Sequence, residues 1–479
     1  MNHKFACVVA ALLVLVLSLG SPALAQTGKA EGPPEIPKTP AGRVFAAWLA
    51  AFNSADPAQI RAFDAAYPRE QAPPPVEGRL AFRESTGGFT LLRIEKNEPL
   101  SLVVLLQEAS SDTVARYELT VSSDDPPKIL SATIQAVPRP ADLAIPRMTE
   151  AGALAALTAR AEELAKDDKF SGAVLVARHG KVLLQKTWGR ANRETGAPVT
   201  PDTLFRIGSM NKMFTAVATL QLVEAGKLAL DDPIGKHLAD YPNKDVASKV
   251  TIRHLLTHTG GTGDIFGPEF VKNRLTLREH SDYVKLYGAR GLTHEPGAEQ
   301  QYSNYGFVLL GAIIEKVSGM SYYDYVRSKV FQPAGMTSTD SLSESEKVPN
   351  RSVGYTRDGN AWAPNTDTLP WRGTAAGGGY STVGDLLRFA SALESGKLIS
   401  KKMLAEATRE QVEGYGYGFG LGGEGALRAY GHGGGAPGMN GDLRIYPQSG
   451  YVLVSLSNLD PPAASRLTEF FSLRMPAAP

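Results

Sequence analysis

Residues 206–227 read RIGSMNKMFTAVATLQLVEAGK. Met210, Met213, Val217, Leu220 and Val223 recur at steps of three and four, which predicts a helix with one face in a core. Gly226 followed by Lys227 is a helix stop. Ser209 and Lys212 fall in the first turn, three apart and therefore on one face. Such a pair is either a cap next to a solvated charge or a nucleophile next to a base. The spacing alone favours the first reading, because a serine three before a lysine arises by chance in a chain of this length.

The chain has 479 residues, 43% hydrophobic and 21% charged, with a formal net charge of +1. This is globular composition with room for two or three domains. No long basic run is present, which speaks against nucleic acid as a partner. Residues 1–25 stand apart. Lys4, the apolar run FACVVAALLVLVLSLG and the small residues Ala23–Ala25 read as a secretory signal peptide cleaved before Gln26. A secreted or periplasmic protein follows, with no stable membrane insertion after cleavage; a retained anchor is the competing reading. Cys7, the single cysteine, lies inside this segment. The mature chain then has no thiol for catalysis, disulfides or metal thiolates.

Residues 26–40, QTGKAEGPPEIPKTP, form a proline-rich linker. From 41 to 137 two helices broken at Asn53–Pro57 precede a meander of about five strands, around RLAFRES, FTLLRIEK, LSLVVLLQE, ARYELTVS and ILSATIQAV. This small α+β domain resembles the cone-shaped nuclear-transport-factor-2-like domains in element order and in its AFNSAD start. A second join, VPRPADLAIPR, leads to a helix at 149–166 and a hairpin, SGAVLVARHGKVLLQKTWG. Helical signals and long loops fill 200–410, and strands return in ALRAYGHGGG, GDLRIYPQSG and YVLVSLSN. Strands at both ends with helices between them predict one α+β unit over 147–479: an antiparallel sheet flanked by helices, carrying an all-helical subdomain.

Three further stretches bear on Ser209. Tyr241-Pro-Asn243 contains a proline and suits a solvated loop, whereas Tyr302-Ser-Asn304 opens the apolar helix GFVLLGAIIEKVSG. His432 sits beside consecutive glycines in GHGGGAPG, next to a predicted strand, where bare backbone permits close approach. Together, S-x-x-K at Ser209–Lys212, Y-x-N at Tyr302–Asn304 and H-x-G at His432–Gly434 resemble, in order, the serine β-lactamase and penicillin-binding-protein superfamily, in its class C-like branch. The connecting segments TIRHLLTHTGG, EPG and GGGYSTVGDLLRFA are similar too, and the resemblance spans about 170–460.

The resemblance implies a serine hydrolase working through an acyl-enzyme, with no cofactor or metal. Ser209 is then the nucleophile, and Lys212 and Tyr302 jointly supply the base and the proton relay. Asn304, His432, Gly434 and Gly435 bind substrate, and the Ser209 and Gly435 amides form the oxyanion hole. Lysine serves as a base only when burial or nearby charge lowers its pKa. His432 stands where penicillin-recognising relatives carry lysine, and no S-D-N element is present, so weak or no β-lactamase activity is expected. The substrate is a small ester, an amide or a D-alanyl peptide of the cell wall; the alternative is a catalytically idle binding or signalling protein. His254 and His258, four apart, have zinc-like spacing but lack the glutamate of H-E-x-x-H and support a loop instead.

Overall fold

The computed structural model describes residues 34–477 except 71, 359 and 360, so the proposed signal peptide lies outside the described residues. The chain divides into two compact units, Met1–Pro146 and Arg147–Pro479.

The first unit has three helices, α1 (Pro40–Asn53), α2 (Pro57–Ala66) and α3 (Val76–Thr86). Four antiparallel strands follow, β1 (Phe89–Glu98), β2 (Ser101–Glu108), β3 (Val114–Val121) and β4 (Ile129–Val137), paired in chain order. Thr39 and Asp56 cap α1 and α2, each with proline in the first turn. Val44, Phe45 and Phe52 of α1 pack on Leu102, Val104, Leu106 and Leu119 of the sheet. RLAFRES is helix α3 and not a strand, which leaves four strands where about five were expected. Much of its docking is polar, which hydrophobic periodicity does not register. Arg79 makes two bonds to Asp64, at 2.9 and 2.6 Å, and Arg83, one turn on, donates to the Asn53 carbonyl at 3.2 and 3.1 Å. Phe82, whose alternation with Leu80 imitated a strand, is 40% exposed, with its ring centre 5.6 Å from that of Phe52 and 5.9 Å from that of Phe89.

In the second unit, six antiparallel strands run in the order Gly420–Gly422, Ala429–Ala436, Met439–Tyr446, Tyr451–Ser457, Gly172–Arg178, Lys181–Trp188. The start of the unit therefore pairs with its end, Val174 opposite Ser455 and Gly172 opposite Ser457. Strand Gly172–Arg178 is buried on both faces, which accounts for its unbroken apolar run. Val174 and Val176 face Leu157 and Leu164 of helix Glu150–Lys166 and Phe471 of helix Ser465–Arg474. Ala173, Leu175 and Ala177 face the large core around helix Asn211–Glu224.

That helix differs from expectation in one respect: it is buried nearly all round, not along one face. Its polar residues are buried with partners. Asn211 Nδ2 donates to Tyr322 Oη at 3.0 Å and to the Thr374 carbonyl at 2.8 Å. Thr215 Oγ1 donates to the Ala375 carbonyl at 2.6 Å. Tyr241, expected in a solvated loop, is also buried, its hydroxyl 3.2 Å from that of Tyr305, while Asn243 caps the short helix Lys244–Lys249.

Candidate active site

Ser209 sits in a 3₁₀ turn, Gly208–Met210, immediately before helix Asn211–Glu224. Two glycine segments press on this turn. A Cβ at Gly434 would lie 1.9 Å from the Ile207 carbonyl oxygen, and one at Gly208, whose φ is +54°, would lie 3.0 Å from the Gly435 nitrogen. From the other side Gly378 N–H donates to the Gly208 carbonyl at 3.2 Å, and Ile207 N–H donates to the Gly379 carbonyl at 3.3 Å. The Gly434 and Gly435 backbone is thereby brought against the residues that flank Ser209.

Lys212 is fully buried, one helical turn beyond Ser209. Its Nζ lies 2.7 Å from Asn304 Oδ1, 2.5 Å from the Ala376 carbonyl oxygen and 3.2 Å from Ser209 Oγ. Burial pulls its pKa down to about 7, against the pull of Asp264 in the other direction. A neutral amine has two hydrogens and one lone pair. The two carbonyl oxygens take the hydrogens, and the lone pair is left for the Ser209 hydroxyl.

Burial pushes the Tyr302 phenol well above the usual tyrosine range, and the Ser209 hydroxyl beside it pulls the other way. The Lys212 ammonium position lies 4.6 Å from the Tyr302 ring centre. Ser303 caps helix Asn304–Ser318 by accepting the Gly306 amide at 2.9 Å, which sets Asn304 in the first turn. Asp264 orients Asn304: one carboxylate oxygen accepts the Asn304 backbone amide at 2.9 Å, and the other accepts Nδ2 at 3.1 Å. The amide oxygen of Asn304 consequently faces Lys212.

Three features of this site escaped the sequence reading. Asp264 carries no motif; its nearest signal is the glycine-rich TGGTG before it. The GGGYS stretch, noted in the sequence only as part of a connecting segment, bonds the turn that carries Ser209, and the neighbouring Ala376 supplies the carbonyl for Lys212. Tyr415 joins His258 to His432, with its hydroxyl 3.2 Å from one Nε2 and 2.9 Å from the other. His432 also has Nδ1 2.6 Å from the Gly433 carbonyl, so both of its ring nitrogens are engaged within the protein. Its pKa is lowered by burial and by Lys212 to about 4. His254 Nδ1 accepts the Thr251 amide at 3.2 Å in a capping box and stands apart from this cluster.

The Beta-lactamase family model matches residues 157–474. The chain belongs to that family. It is 31% identical to esterase EstB of Burkholderia gladioli over 303 residues, covering 55% of this chain and 76% of that one. It is 34% identical over 240 residues to PbpX of Bacillus subtilis (strain 168), covering 50% of this chain and 58% of that relative's length. Among solved structures, the penicillin-binding protein from Bacillus halodurans superposes with a TM-score of 0.59 at 31% identity, over 64% of this chain and 98% of that one. The second unit thus has the fold of the β-lactamase family, and the protein is a serine hydrolase of that family.

Proposed function

We propose that this hydrolase cleaves small uncharged esters or amides through an acyl-enzyme on Ser209. One observation carries the reading: Lys212 Nζ is held between two carbonyl oxygens in a dry site, 3.2 Å from Ser209 Oγ. Ser209 gives its proton to the Lys212 lone pair as its oxygen attacks the carbonyl carbon. The ammonium so formed keeps its bonds to Asn304 and Ala376. Tyr302, which burial keeps as a phenol, passes a proton to the leaving group and regains it from Lys212. The Ser209 and Gly435 amides take the oxyanion. Water then releases the acyl group by the reverse proton transfers.

The substrate class follows from His432. Penicillin-recognising relatives present lysine at this place, but the imidazole here is neutral at pH 7 and has no ring nitrogen to spare. A carboxylate on the substrate gains neither charge nor a hydrogen bond from it. The similarity to esterase EstB is in keeping with an ester substrate, but penicillin-binding proteins match at comparable identity, so the choice rests on His432. The sequence signals at Lys4 and Ala23–Ala25 support export, and N-terminal sequencing of the exported protein is expected to begin at Gln26.

Labelling with a fluorescent fluorophosphonate, followed by turnover of a nitrophenyl ester and a chromogenic cephalosporin, tests the reading. The parent labels and Ser209→Ala does not, and kcat/KM is higher for the ester. Labelling or ester turnover in folded Ser209→Ala at the parental rate removes Ser209 as the nucleophile. Cephalosporin turnover near about 10⁶ M⁻¹s⁻¹, within the efficient enzyme range, overturns the substrate class.

A further inference from the structure

His258, Tyr415 and His432 form a hydrogen-bonded chain whose direction is set from both ends. At one end the Ser303 amide donates to His258 Nδ1 over 3.1 Å, so the neutral ring carries its proton on Nε2. At the other end the Gly433 carbonyl, which only accepts, lies 2.6 Å from His432 Nδ1. That ring therefore carries its proton on Nδ1 and a lone pair on Nε2. The Tyr415 hydroxyl closes the gap by accepting from His258 Nε2 at 3.2 Å and donating to His432 Nε2 at 2.9 Å. Tyr415 is itself buried. A further proton on His258 would point at the Ser303 N–H. One on His432 would leave the buried Tyr415 hydroxyl hydrogen without an acceptor.

The chain bears directly on the reacting groups. The His258 ring centre is 4.3 Å from that of Tyr302, and the His432 ring centre is 6.4 Å from it. His258 also grips the backbone on either side of Tyr302, its carbonyl accepting the Gln301 amide at 2.8 Å and its ring accepting that of Ser303. It does so with a φ of +59°, a left-handed conformation that a non-glycine residue rarely adopts. The charged and titratable groups facing the pair are Lys212 from the nucleophile helix, Tyr302 at the next helix entrance and Asp442 from the adjacent strand.

We propose that Tyr415 is a positioning residue of the active site: its hydroxyl, accepting from His258 and donating to His432, links the two oppositely oriented neutral rings and occupies the His432 lone pair, withholding a proton from that ring as the Ser303 amide does from His258. No cation then stands beside Lys212 at the moment it takes up the Ser209 proton. A charge on either imidazole would oppose that step. Burial and the nearness of Lys212 lower both histidines, and Asp442 pulls His432 weakly the other way.

The test uses the full chain with ¹⁵N-labelled histidine, the two rings being assigned by single His→Gln replacements. In the parent, His258 shows the Nε2–H tautomer and His432 the Nδ1–H tautomer, and both titrate below the ordinary histidine range. In Tyr415→Phe, the His432 midpoint rises by about one unit or more. The acid limb of kcat/KM for a nitrophenyl ester gains a second ionisation at that same pH. The opposite tautomers in the parent, or a variant whose His432 midpoint and pH profile superimpose on the parent's, overturn the proposal. The parent spectrum decides the tautomers even if Tyr415→Phe fails to fold. The kinetic arm rests on the acyl-enzyme reading and the spectroscopic arm does not, so failure of the one reading is distinguishable from failure of the other.

Discussion

Lys212 combines a large electrostatic cost with the chemistry. Its folded pKa of about 7 stands below the ordinary 10.5, so between these values the unfolded chain holds a proton that the folded chain lacks. Stability then rises with pH across that window, and the penalty of burying the amine is fully present below about 7. Lys212→Met removes this dependence. Denaturant melts at pH 7 and pH 10 are expected to show the parent gaining several kcal/mol on the variant between the two pH values; parallel behaviour would mean that the amine is not dehydrated. Asp264 invites a second substitution. In Asp264→Asn the oxygen stays on the Asn304 and Ile265 amides, which turns an NH₂ toward Asn304 Nδ2. Two donors then face each other, and the Asn304 amide flips its oxygen away from Lys212. We expect kcat/KM to fall on the order of 10- to 100-fold, matching the loss of one charged hydrogen bond of about 1.5–3 kcal/mol. Because Asp264 raises the Lys212 pKa, its neutralisation also moves the acid limb to lower pH. A pH–rate profile of the variant checks both.

At the scale of elements, the site is a meeting of three backbones, and glycines make that approach possible. Strand Ala429–Ala436 meets the backbone just before Ser209 at Gly434, where an added methyl would stand 1.9 Å from the Ile207 carbonyl oxygen. Backbone oxygen does not yield as a flexible side chain does. Gly434→Ala is expected to cost about 3 kcal/mol, read as a lower urea midpoint, and to reduce fluorophosphonate labelling more steeply than stability alone explains. Preserved labelling at a preserved midpoint would show that the strand moves aside. The loop Thr374–Gly379 is pinned in the same manner from the helix side. Asn211, Thr215 and Lys212 bond the carbonyls of Thr374, Ala375 and Ala376 in turn. His280 Nε2 accepts the Ala375 amide at 3.1 Å, and its Nδ1 lies 3.0 Å from Glu315. The turn Gly208–Met210 and the helix it leads into thereby carry Ser209 and Lys212, the proposed nucleophile and base, and also hold the loop that supplies a carbonyl to Lys212.

Across the whole molecule, Ser209, Lys212, Tyr302, Asn304 and His432 all belong to the unit Arg147–Pro479. That unit closes its own sheet by pairing Gly172–Arg178 with Tyr451–Ser457, and Met148 N–H donates to the Arg474 carbonyl at 2.7 Å. A chain beginning at 147 is expected to fold and to label with a small fluorophosphonate at the rate of the full chain. A folded but unlabelled product would show that the first unit completes the site.

Several of these features were legible in residue order. The spaced pair Ser209 and Lys212, the Y-x-N opening of an apolar helix and the H-x-G strand are local patterns, each set by a few bonds of covalent chain. The α+β character followed from short apolar-rich runs bounded by turns at both ends of the second unit, with helical signals between them. Long-range contacts carry the rest, and these leave no local trace. Helix α3 reads as a strand because two arginines and one half-exposed phenylalanine, and no continuous apolar face, dock it. Asp264 is one carboxylate among many until the fold places it 40 residues from its partner in sequence and 2.9 Å in space. Residue order determined which side chains have the chemistry. Tertiary structure alone decided which of them are dry, because dehydration of Lys212 and the shared protons of His258, Tyr415 and His432 depend on what surrounds each group on every side.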